Sequence, residues 1–247
     1  INLELKNVKF LLNPLNLTFN IKTYEPDIVF KKNKIELKSI KTNVSLKSFI
    51  SNEFSIDDLQ ISTKEIKLDK IVSFARSFKN STELFILDRI IKDGSLIGDI
   101  NLNFDSNGKV KKDYEISGFI KDTKLGILKK YNINNLGLAF KISDKKFLLE
   151  DIITDFNNIK LSSKLIKINQ IKDTFLINGK ISSEERKFEI DFLAGLLGNN
   201  LKKLNLKNII FSSDNNFSFN INNKFKINDI NLDASVNLKR LDYDNKN

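Results

Sequence analysis

The adjacent carboxylates Asp57-Asp58 and Glu184-Glu185 come closest to an acid and base pair in this chain. Asp57-Asp58 interrupts a stretch of alternating apolar and polar residues. Neighbours in a strand point to opposite faces, so carboxylates adjacent in a strand cannot share one substrate. The 247 residues include no histidine and no cysteine, which removes the usual base near neutral pH, the commonest zinc ligands and any thiol nucleophile. Without cysteine there is also no disulfide. Asp105-Ser-Asn107-Gly108 has the opening of a calcium loop but lacks the later acidic ligands, and a hairpin turn accounts for it. No phosphate-cradling glycine loop or nucleophile elbow occurs, and no Ser-Lys pair stands out among many residues of both types. The chain reads as a non-enzyme that uses neither cofactor nor metal.

The patterned feature lies in the strands that carry these residues. Phe54-Ser-Ile56-Asp-Asp-Leu59-Gln-Ile61 alternates, passes two polar residues, and resumes alternation one step out of phase. The outline recurs at Leu3 to Phe10, Ile35 to Thr42, Tyr131 to Leu138, Phe147 to Ile152, Leu204 to Phe211 and Phe225 to Leu232. A one-residue slip turns every later side chain to the other face, so the polar pair must reset the face. A bulge does this by inserting one residue, a tight hairpin by reversing the strand. The pairs Asp57-Asp58, Lys6-Asn7 and Glu150-Asp151 lack the glycine that tight hairpins favour, so the expectation is a bulge and a bent strand with one apolar face.

The net charge of +10 raises nucleic acid or an anionic membrane as a partner. The excess is lysine scattered over outward strand positions, with arginine only at Arg76, Arg89, Arg186 and Arg240, and the pattern fits solvated faces without nucleic-acid binding. No apolar run is long enough to cross a bilayer as a helix. With no methionine the chain reads as a segment of a longer protein, from which an upstream signal or anchor is absent.

Alternation dominates from end to end, with one change of period. Ile71, Phe74, Ala75 and Phe78 follow Asp69 at helical spacing, and Leu84, Leu87 and Ile91 follow Ser81, with Gly94 placed to end the second helix. A further short helix is expected within Glu184 to Gly198. The fold class is therefore mainly β: a long curled antiparallel sheet, an open β-groove, with a short helical hairpin near residues 69–92. No linker divides it, so 1–247 reads as a single groove segment.

Pro26 to Phe30, Val44 to Ile50 and Phe54 to Ile61 leading to Ile66-Lys-Leu68 resemble, in that order, the N-terminal part of the AsmA-like envelope proteins (AsmA, TamB and YhdP). Gly94 to Phe104 and Ser117 to Ile120 look like the family's later glycine-led strands. The resemblance covers about residues 24–70, roughly a quarter of the chain. It implies a repeating β-groove in the periplasm of a Gram-negative bacterium, tethered to the inner membrane by an anchor outside this segment. Phospholipids would pass along such a groove toward the outer membrane, contributing to envelope assembly.

Acyl chains are thus the expected partner. The residues expected to line the groove are Leu37, Ile40, Phe54, Ile56, Leu59, Ile61, Leu149, Ile152, Leu206, Ile209, Ile227 and Ile230. The alternative is a structural or adhesive all-β protein with a closed, dry core.

Overall fold

A computed structural model describes residues 2–51, 53–79, 81–127, 131–224 and 226–243. It is mainly β, 69% strand, with one antiparallel sheet of 15 strands that does not close into a barrel. β1 (Asn2–Glu4) and β2 (Val8–Asn13) are successive, as are β3 (Thr18–Tyr24) and β4 (Asp27–Phe30). β5 (Asn33–Ser45) pairs with both β3 and β4, which in turn carry β2 and β1. A short helix, α1 (Leu46–Ile50), leads to β6 (Ile56–Thr63), which pairs with β5. β6 and β7 (Ile66–Lys67) both pair with β8 (Ile91–Asn103).

From β8 onward each strand pairs with the next. The series is β9 (Glu115–Ile127), β10 (Tyr131–Ser143), β11 (Lys146–Phe156), β12 (Ile159–Ile171), β13 (Thr174–Glu189), β14 (Leu206–Asn222) and β15 (Ile227–Tyr243). Two-residue turns set the registers. Ser143 pairs with Lys146, Phe156 with Ile159 and Ile171 with Thr174. Asn157 and Asn158 both have positive φ, 46° and 67°, the primed turn whose twist matches the flanking strands.

The out-of-phase motifs are irregularities of the ladder, not hairpins. Register shifts fall at Lys38, Asp57, Asn135, Asp151, Lys207 and Asp229, and at Asn7 the chain passes from β1 to β2. Asn7, Asn135, Asp151 and Asp229 take left-handed φ near 50°, a conformation that asparagine and aspartate tolerate better than other side-chained residues. Asp122 in β9 does the same, opposite Gly94 of β8.

Between β7 and β8 stand α2 (Leu68–Phe78) and α3 (Thr82–Ile90), close to the hairpin the periodicity predicts. Ser81 caps α3 by accepting from the Leu84 N–H at 3.4 Å. Asp69 caps no helix, since α2 begins at Leu68. Gly94 does not end α3. The chain is already extended at Ile91, and Gly94 lies in β8 at φ 130°, where Thr123 fills the place of a side chain. The short helix expected within Glu184 to Gly198 is present, but it occupies only the later part of that stretch. Arg186 and Phe188 pair with Phe211 and Ile209, and α4 (Ile190–Leu197) begins after them, followed by a 3-10 turn at Asn199–Leu204. Leu128, in a segment whose type the sequence pattern leaves open, and Phe225, expected in a strand, lie outside the described residues.

Among the described residues few side chains are fully enclosed. The buried apolar set comprises Leu37, Ile40, Ile66, Leu68 and Val72 near α2, Phe188, Leu193, Ala194 and Leu206 around α4, and Ile152 between them. Phe188 stacks on Phe211 with centroids 4.6 Å apart. The accessible surface is 16714 Å², whereas a compact chain of 28.4 kDa exposes about 11,000 Å². The sheet is open, and most of one apolar face lacks a covering layer.

Candidate functional site

Residues directly opposite on antiparallel strands point to the same face. Following the pairings from β5 to β14 gives one continuous row: Ile40, Ile61, Ile100, Ile116, Ile142, Phe147, Ile168, Ile177 and Phe219. At about 4.8 Å per strand it extends about 38 Å across the sheet. Only Ile40 is fully buried; every other member is half-buried.

A second row runs beside it on the same face, two residues along each strand: Gly98, Gly118, Phe140, Leu149, Ile166, Gly179, Phe217 and Leu232. The glycines make room for aromatic rings. Phe140 lies over Gly98 and Gly118, and the tip of Phe217 is 3.2 Å from where a Gly179 side chain would begin. Together the rows form a smooth apolar strip with no charged group in either row.

The opposite face is polar at the same level except at Leu148. Ser62, Asp99, Ser117, Lys141, Leu148, Lys167, Asn178, Ser218 and Asn231 pair in sequence across the strands. Some of its charges are paired locally, with Lys141 and Glu115 at 2.6 Å and Lys180 and Asp214 at 3.0 Å. The Ser182 hydroxyl, donating at 2.5 Å, and then Lys180 hold the Asp214 carboxyl below its usual range.

One end of the sheet is pinned by a buried charge. Asp27 is 1% exposed, beside the left-handed Glu25, and its carboxylate accepts from Lys6 at 2.6 Å and Lys34 at 2.9 Å. The hydrogen bond from Lys6, then that from Lys34, lowers its pKa. Thr23, also buried, donates to the Lys6 carbonyl at 2.5 Å. These bonds join the β1–β2 and β3–β4 breaks.

The structure brings some of the expected lining residues together and separates others. Ile40 and Ile61 are neighbours in the long row, and Leu149 belongs to the second. Leu59 pairs with Thr42 and Leu102 beside the long row, and Ile56 pairs with Val44. Leu37, Ile152 and Leu206 are buried and contribute to the enclosed core. Ile209 pairs with Phe188 near α4. Ile227 and Ile230 are 51% and 69% exposed on β15, at the sheet edge. Phe54 precedes β6 and packs against Phe104, centroids 5.5 Å apart. Ile100, Ile116, Ile142, Phe147, Ile168, Ile177 and Phe219, which carry most of the strip, were not among the residues expected. Their signal is plain alternation within long strands, which the out-of-phase motif overshadowed.

Among the described residues no group of three or more histidine, cysteine, aspartate or glutamate side chains is placed to hold a metal ion. No helix among them is long and apolar enough to cross a membrane. No family model, no curated protein and no solved structure matches the chain.

Proposed function

We propose that the chain is a β-groove segment that holds lipid acyl chains along the apolar strip. The observation that carries this reading is the half-buried row from Ile61 to Phe219, uninterrupted by charge and left without a covering layer. Contiguous exposed apolar surface of this extent normally marks a binding site. The strip offers equivalent positions and no polar anchor, so an acyl chain gains about 0.8 kcal/mol for each methylene it buries and slides among them.

In this reading, which the resemblance of residues 24–70 to AsmA-like envelope proteins supports, the activity serves phospholipid transport and outer-membrane assembly, in a periplasmic protein tethered to the inner membrane outside this segment. Phospholipid acyl chains are the partner in this reading. No catalytic residue is required, and the chemistry is transfer between apolar surroundings.

The test is mass spectrometry of lipids extracted from the purified protein, alongside an Ile100→Asp variant whose strand content is checked by circular dichroism. Phospholipid in the native protein and its loss from the folded variant are expected. Native protein free of lipid, or equal lipid in both, counts against the reading.

A further inference from the structure

The α2–α3 hairpin presents a second, separate apolar surface. Phe78, Phe85, Ile86 and Leu87 are 45%, 44%, 37% and 40% exposed. Three of them are consecutive in α3, so at 100° per residue they spread over more than half of the helix circumference. Leu84 and Ile90 are half-buried, and packing against α2 and the neighbouring strands leaves Phe85 to Leu87 outside. A helix apolar on so many sides calls for a second apolar neighbour.

Cations surround this patch. Arg89 lies over the Phe85 ring at 5.0 Å, Lys79 follows Phe78, and Lys92 donates to the Arg89 carbonyl at 2.8 Å. Lys31 reaches the Ser77 carbonyl at 3.2 Å, and its neighbour Phe30 stacks on Phe78 with centroids 4.1 Å apart. Among the described residues, Lys31, Lys32, Lys79, Arg89 and Lys92 form no ion pair. Among the described side chains, two of the nearby carboxylates are in ion pairs and a third accepts a backbone hydrogen bond. Asp88 pairs with Arg76, Asp93 with Lys67, and Asp69 accepts the Lys70 N–H.

We infer that this surface docks on an anionic lipid bilayer. Exposed rings and aliphatic side chains framed by unpaired lysine and arginine match the acyl boundary and headgroup layer of such a membrane. The patch lies on the helices and not on the sheet strip, so this inference stands independently of acyl-chain binding there.

The experiment is cosedimentation of the whole chain with phosphatidylcholine vesicles prepared with and without phosphatidylglycerol. Binding to the anionic vesicles that weakens with added salt is expected. Phe85→Ser with Ile86→Ser should lower partitioning at least tenfold. Lys79→Gln with Arg89→Gln should lower it about 25-fold, roughly fivefold per charge. Circular dichroism melts check that both variants fold. No binding to anionic vesicles at low salt overturns the inference, as does binding unchanged in both folded variants. Lipid retained by the helix variants, read by mass spectrometry, separates a failure here from a failure of the strip reading.

Discussion

Gly98 and Gly118 stand opposite one another on β8 and β9, and the ring of Phe140 fills the space their missing side chains leave. A side chain on Gly118 would meet the Ile97 carbonyl oxygen before it met the ring. Backbone cannot yield as a side-chain tip does. Gly118→Ala should therefore lose about 1–3 kcal/mol, read as a lower urea midpoint. Gly195→Ala, in α4 with open space around it, should gain about 0.5–1 kcal/mol.

The bulge at Asp151 is testable through its backbone. With φ 48° it needs a residue that accepts the left-handed region. Asp151→Gly should fold with stability close to native, whereas Asp151→Val should lose about 1–2 kcal/mol. Equal urea midpoints for the two variants would refute a strained bulge at this position.

Asp27 links stability to acidity. Lys6 and Lys34 lower its folded pKa below the ordinary 3.8, so the unfolded chain binds its proton more readily. The contribution is complete above the unfolded value and is lost as pH falls from about 4 through the lower folded value. Acid titration of native protein and Asp27→Asn, followed by circular dichroism, should show the variant less stable near neutrality. The difference should close at low pH.

Core and strip should respond differently to truncation. Phe188 is 5% exposed and stacked on Phe211, so Phe188→Ala should cost about 3–5 kcal/mol. Ile168, half-buried in the strip, should cost less than half as much on change to alanine. Thermal melts of delipidated protein would compare them.

How much of this was legible follows from what alternation encodes. Period-two patterns around Phe54 to Ile61 and Phe147 to Ile152 carried the strand class and the bulges, because a phase error needs a local remedy. Alternation does not say which residues stand opposite. That information lies in turns such as Asn157-Asn158, which aligns Phe147 with Ile168, and in left-handed residues such as Asp122, beyond which Asp93 stands opposite Lys124. Glycines mislead for the same reason. Gly94 looks like a helix stop until Thr123, 29 residues away, is placed against it. Enclosure is equally hidden, since Ile40 and Ile230 occupy equivalent places in the motif but are 8% and 69% exposed.

The pairing order from β8 to β15 carries a kinetic consequence. Each of these strands docks on the one made just before it, so assembly can proceed hairpin by hairpin without waiting for a distant partner. No last strand returns to lock the first. Cooperativity then passes mainly between neighbours, as in a linear array, and amide exchange should be fastest at β15 and slow progressively toward the middle of the series.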